Sequence, residues 1–147
     1  MAREEVDIEE DIDALALAEQ LRATLGKFVR GIKAEANTPT TSQSETLSLL
    51  ERAGPLSVAE LAESRNVRHQ SMRLVVGQLE AEGLINKSPN PTDGRSQLLT
   101  ITEHGQERLS QSREARTSQI AKVITERLSD EDRRTLIAAI LVIDRLC

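Results

Sequence analysis

The chain has 147 residues, 38% of them hydrophobic and 29% charged, with a formal net charge of -5. That length can bury a real core in one domain, or in one compact chain with an extension, and the composition is ordinary for a helix-rich protein. Phe28 is the only aromatic residue, so the core must be built from Leu, Ile, Val and Ala, and a single-stranded nucleic-acid platform of stacked aromatics is excluded.

No apolar run approaches the roughly 20 residues that span a bilayer. The opening "MAREEVDIEEDID" is too acidic for a signal peptide. Cys147, the one cysteine, permits no intrachain disulfide, and a bacterial or archaeal cytosol is the expected location, with no membrane partner. Charge is divided unevenly along the chain. Residues 1–20 hold eight acids and one base, whereas residues 64–96 hold five bases (Arg65, Arg68, Arg73, Lys87 and Arg95) against three acids. Local potential steers a polyanion more than net charge does, so nucleic acid stays open as a partner.

From Ile12 onward, Leu15, Ala18, Leu21, Leu25, Phe28 and Ile32 recur at helical spacing. They predict a long amphipathic helix broken by Asn37 and Pro39. A second helix has overlapping start signals, Thr40 with Gln43 and Ser42 with Glu45, and ends at "AGP". Ser57 and Glu60 open a short helix that buries Val58, Leu61 and Ala62. A further helix runs from about Arg68 to Glu82 and stops at Gly83. "LINKS" and "SQLLTIT" read as two strands of an antiparallel hairpin joined by a Pro/Asp-Gly loop. Two last helices follow, about Glu103 to Leu128 and, capped by Ser129, Asp130 to Leu146. The order is mainly α with a small β-hairpin wing, and its middle portion is a winged helix-turn-helix.

The stretch "GPLSVAELAESRNVRHQSMRLVVGQLEAEGLINKSPNPTDGRSQLLTITEHGQE" resembles the DNA-binding core of the MarR family of winged-helix transcriptional regulators. The short capped "LAE" helix followed by a helix ending "LEAEGLI", the wing "PNPTDGRSQLLTIT" with its Asp-x-Arg, and the Thr-x-x-Gly opening of "TEHGQE" carry the resemblance. It implies a dimerisation helix with an acidic start over residues 1–36, a DNA-binding winged domain over 40–102 and C-terminal dimerisation helices over 103–147. It further implies a homodimer on double-stranded DNA, with the action of a ligand-responsive repressor. In the family, small and often aromatic anions bind between the dimerisation helices and the winged domain. A small organic effector of unidentified chemistry is therefore expected near the first, second and fifth helices. With Phe28 as the only ring, an aliphatic pocket is expected for it.

On a helical wheel, Met72, Val75, Val76 and Leu79 share the core face of the helix from Arg68. Gln70, Leu74, Gly77 and Ala81 lie opposite, flanked by Arg73 and Gln78, with His69 and Ser71 at the sides of the first turn. Such residue types suit base reading: arginine pairs with guanine, glutamine with adenine, and an apolar group packs on a thymine methyl. The candidate major-groove residues are thus Arg68, His69, Gln70, Ser71, Arg73, Leu74 and Gly77; a solvated helix face is the alternative. The chain departs from the family at Leu74, where many members carry arginine, and at Gly77, where many carry an acid. In the wing, Lys87, Asp93 and Arg95 are candidates. Arg95 is expected in the minor groove, and Asp93 either bonds the turn backbone or orients Arg95. Lys87, Arg65 and Arg68 are phosphate candidates.

Leu136, Ile137, Ile140, Leu141, Ile143 and Leu146 give the last helix more apolar surface than a small domain covers, which predicts burial against a second copy. His69 and His104 lie far apart, with no nucleophile-base-orienter set and no phosphate-cradling glycine loop, so neither an enzyme, a metal site nor a cofactor is expected. Cys147 reads as a flexible terminal thiol or a redox-sensitive one. The rival function is a winged-helix protein-interaction module whose exposed Leu74 face and acidic N-terminus bind another protein.

Overall fold

A computed structural model describes residues 12–147; the acidic opening stretch before them lies outside the described residues. Among the described residues the elements are α1 (Ala14–Glu35), α2 (Ser42–Ala53), α3 (Val58–Ser64), α4 (His69–Ala81), β1 (Ile85–Pro89), β2 (Gln97–Ile101), α5 (Glu103–Arg127) and α6 (Asp130–Asp144). This is the predicted order, with a two-stranded antiparallel wing between α4 and α5.

Helix starts follow side-chain chemistry. Ser57 and Glu60 form the expected capping box, and Ser129 closes another with Asp132. α2 differs, because neither predicted pair starts it. Thr41 does: its hydroxyl accepts from the Ser44 amide at 3.1 Å, and the Ser44 hydroxyl accepts from the Thr41 amide at 2.9 Å. A serine hydroxyl reaches the same orphan donor as the glutamate or glutamine of the usual pattern, so a search for those two types passes it over.

Three helices end alike. Asn37 (φ 54), Asn66 (φ 51) and Gly83 (φ 72) adopt the left-handed conformation that closes α1, α3 and α4. One residue later the chain donates back to an orphan carbonyl, Thr38 to Lys33 at 2.8 Å, Val67 to Ala62 at 3.0 Å and Leu84 to Leu79 at 2.9 Å. Asparagine and glycine tolerate this conformation best. The turn at Asn66 is the tight connection that sets α4 against α3.

The core joins Leu47 and Leu50 of α2, Leu61 of α3 and Met72, Val76 and Leu79 of α4 to Leu84, Ile85 and Leu99 at the wing root, with Leu109 of α5 beneath them. Each fully buried Leu, Ile or Val contributes on the order of 2 kcal/mol. The wing pairs Ile85 with Ile101 and Lys87 with Leu99. Leu56 adds a third short rung to β2, donating to the Leu99 carbonyl at 3.2 Å and accepting from its amide at 2.8 Å.

Thr102, the last residue of the predicted strand and the first of the Thr-x-x-Gly opening, caps α5 as that opening implies. Its hydroxyl accepts from the Gly105 amide at 3.0 Å and donates to the Gly83 carbonyl at 2.7 Å. A Cβ built on Gly105 would collide with the Leu84 carbonyl and the Ile101 side chain. The Thr-x-x-Gly motif therefore locks α5 onto the corner between α4 and β1. At the other extreme, α6 buries none of its residues, and α1 buries only Ile32 near its C-terminal end.

Candidate nucleic-acid interface

The outward face of α4 follows from its packing. With Met72, Val76 and Leu79 buried, the opposite face of α4 is left to solvent: Gln70, Ser71, Arg73, Leu74 and Gly77 are all exposed. Leu74 is 69% exposed, and a Cβ on Gly77 would meet nothing within 4 Å. Arg68 precedes α4 as its N-cap residue, and no side chain caps that end, whereas each of the other described helices has a side-chain cap. The first amides of α4 are thereby left to an external acceptor.

The two acids at the C-terminal end of α4, Glu80 and the C-cap Glu82, are occupied. Glu80 pairs with Lys87 of β1 at 3.0 Å, and Glu82 with Arg108 of α5 at 3.7 Å. Gln78 is also engaged, with its side-chain oxygen accepting from Gln43 of α2 at 2.8 Å. Lys87 is therefore a partly neutralised cation.

Between α4, the start of α3 and the wing lies a cleft of about 440 Å³. His69 and Arg73 line it from α4, Lys87 from β1, and Arg95 and Gln97 from the wing. Of the predicted site residues, His69, Arg73, Lys87 and Arg95 meet around this concavity, Gln70 and Leu74 share a separate hollow with Arg73, and Arg68, Ser71, Gly77 and Asp93 line neither. Asp93 takes the first of its two predicted roles: its carboxylate accepts from the Arg95 amide at 3.0 Å. No ion pair engages the Arg95 guanidinium among the described residues.

Sequence reading passed over the residues that hold the wing loop. Asn90 accepts from the Thr92 amide at 3.0 Å and donates from its side chain to the Ser96 hydroxyl at 3.0 Å. Asn followed two residues on by Thr is a signal for such a side-chain turn. The prolines on either side of Asn90 hid it.

One phosphate candidate is corrected. The Arg65 side chain, only 13% exposed, donates to the Ser42 carbonyl at 3.0 Å, the Ser42 hydroxyl at 2.8 Å and the Thr46 hydroxyl at 3.0 Å, and it pairs with Glu45. It ties the end of α3 to the start of α2 and is spent inside the protein.

A second cleft, of about 420 Å³, opens where α1, α2 and α5 meet. Lys33, Arg52, Arg65 and Arg116 line it against a single acid, Glu45, which Arg65 already engages. Leu49 is its one apolar side chain. The cleft at this place is cationic, because bases at the ends of α1, α2 and α3 converge there on Arg116 of α5. Phe28 lines a separate, mainly apolar groove of about 340 Å³ between α1 and α5 with Ile32 and Val123. Among the described residues no group of His, Cys, Asp or Glu would hold a metal, and no helix is long and apolar enough to cross a membrane.

A core of α2, α3 and α4, a hairpin wing and the outward face of α4 define a winged helix-turn-helix protein. A family model described as the MarR family matches residues 40–97. The chain is 32% identical over 110 residues to YdgJ, an uncharacterized HTH-type transcriptional regulator of Bacillus subtilis, covering 74% of this chain and 66% of that protein. It is also 32% identical over 96 residues to YxaD, another uncharacterized HTH-type regulator of that organism, covering 64% and 67%. The crystal structure of a transcriptional regulator of Thermotoga maritima superposes with a TM-score of 0.77 at 23% identity, over 87% of this chain and 94% of that one. The structure of a mutant MarR of E. coli complexed with operator DNA has the same fold, with a TM-score of 0.53 at 18% identity over 82% and 93%. The chain belongs to the MarR family. Its relatives are named as transcriptional regulators and not as enzymes, in line with the sequence reading.

Proposed function

We propose that this chain is a transcriptional regulator that binds double-stranded DNA as a homodimer, with α4 in the major groove and the wing in the adjacent minor groove. The observation that carries the proposal is the pairing of an uncapped helix start that has no acid in its first turn with a wing whose Arg95 has no acidic partner among the described residues. A polyanion supplies what both lack: acceptors for the first amides of α4 and a negative potential for Arg95. The operator DNA held by the E. coli relative of the same fold supports this reading.

Dimerisation would bury the apolar surface at the two ends of the chain. Leu15 and Leu17 of α1 and Ile137, Leu141 and Val142 of α6 are each more than half exposed. Two-fold symmetry then sets two copies of α4 about one helical turn of DNA apart, so the operator is pseudo-palindromic. Repression is the action that asks least of the fold, since a dimer seated on a promoter excludes other proteins without contacting them. The net cationic cleft between α1, α2 and α5 suits a small organic anion as the effector, and its position between the dimerisation helices and α2 would let such a ligand shift one against the other.

Salt titration of binding to a selected duplex tests the proposal. With Arg68, Arg73 and Arg95 outside any ion pair in each subunit, log K should fall against log salt with a slope steeper than about -4. A second reading, a protein-interaction module, is favoured by the exposure of Leu74. It predicts no enriched duplex and a protein partner whose binding is nearly insensitive to salt.

A further inference from the structure

We propose that Leu74 is a base-reading residue that packs on the 5-methyl group of a thymine in each half-site. The inference rests on the DNA-binding reading and deepens it, because it names a base and the side chain that selects it.

Leu74 stands apart from the other apolar side chains of α4. Met72, Val76 and Leu79 are buried and Val75 is half-buried, whereas Leu74 is 69% exposed. It shares a hollow on the outward face with Gln70, one turn earlier, and Arg73. One turn later Gly77 leaves that face flat, with open space where a side chain would stand. An apolar side chain set between an amide and a guanidinium, with no acid lining the hollow, suits a polar and negatively charged surface that carries one apolar spot. An all-apolar protein surface would leave Gln70 and Arg73 without partners.

The edge of B-DNA supplies such a spot in one form. In the major groove the four bases present hydrogen-bond donors and acceptors, and thymine alone adds a methyl group. Leu74 can neither donate nor accept. Against a cytosine amino group or a guanine carbonyl it would strip water from a polar atom and offer nothing in return. Against thymine it buries the methyl group, while Gln70 and Arg73 remain free to bond the neighbouring bases.

The test uses the full chain and a duplex selected from a random-sequence library. Each thymine of the selected site is replaced in turn by deoxyuridine, which removes only the 5-methyl group, and affinity is measured for the unaltered protein and for Leu74→Ala. One thymine per half-site should prove sensitive, with binding weakened roughly fourfold per half-site, the factor expected from one buried methyl group. Leu74→Ala should be indifferent to the same replacement, and Leu74→Met, which keeps an apolar tip, should retain the penalty. Putting 5-methylcytosine in place of cytosine at that position should recover part of the affinity lost by a thymine-to-cytosine change. Equal deoxyuridine penalties in the unaltered protein and in Leu74→Ala would overturn the assignment. So would a lowered melting temperature for Leu74→Ala, which would give the side chain a packing role instead. Failure to enrich any duplex is a different result, and it removes the DNA-binding reading itself.

Discussion

The Asp93 carboxylate accepts a hydrogen bond from the Arg95 backbone amide at 3.0 Å, and no ion pair joins the two side chains. The acid shapes the turn and leaves the guanidinium two residues later to a partner outside the chain. Arg95→Ala should therefore weaken binding to a selected duplex by roughly tenfold or more and reduce the salt slope by about 1 per subunit. Asp93→Asn, which keeps an acceptor for the turn, should cost far less than Arg95→Ala. Anisotropy titrations at several salt concentrations read both effects, and equal losses in the two variants would count against this division of labour.

Arg65 provides a contrasting prediction. Its guanidinium links Ser42, Glu45 and Thr46 from a largely buried position, and removing it strands polar groups. Arg65→Met should lower stability by about 2 kcal/mol in denaturant unfolding, with the salt slope of DNA binding unchanged. An unaltered unfolding midpoint combined with a shallower salt slope would return Arg65 to the phosphate contacts.

Two glycines should respond in opposite directions to alanine. Gly105 packs against the Leu84 carbonyl, and the added Cβ collides with backbone that cannot yield cheaply, so Gly105→Ala should destabilise by roughly 2 kcal/mol. Gly77 lies mid-helix with open space around it. Gly77→Ala should stabilise the free protein by up to about 1 kcal/mol while weakening duplex binding, because the new methyl stands on the reading face. Thermal melts with and without duplex separate the two effects.

The exposed rows of α1 and α6 predict the oligomeric state. Ile137 and Leu141, 62% and 64% exposed, lie one turn apart on α6. Sedimentation velocity at micromolar concentration should show a dimer, and the double variant Ile137→Lys, Leu141→Lys should show a monomer. The monomer reaches only one half-site at a time, so its affinity for the full site should fall on the order of a hundredfold. A double variant that stays dimeric would move the interface elsewhere.

Element order was legible because it rests on local chemistry: the leucine spacing of α1, the Ser57–Glu60 box and the Gly83 stop each act within a turn or two of chain. The outward face of α4 was legible for the same reason, since burial of Met72, Val76 and Leu79 fixes what lies opposite. The illegible parts are contacts across long stretches of sequence. Arg65 looked like a free cation because its partners lie about twenty residues upstream. Leu56 gave no strand signal because its single rung depends on Leu99. The cationic cleft collects Lys33, Arg52 and Arg116 from three helices, and composition has no means of reporting that convergence.

The most direct measurement is a binding selection with the purified full chain on fragments of its own genome at moderate salt, followed by sequencing of what is retained. The account predicts an inverted repeat whose half-sites are centred about one helical turn apart, roughly 10 base pairs. Retained fragments without two-fold symmetry would contradict the paired-helix reading, and no enrichment over random fragments would contradict sequence-specific DNA binding altogether.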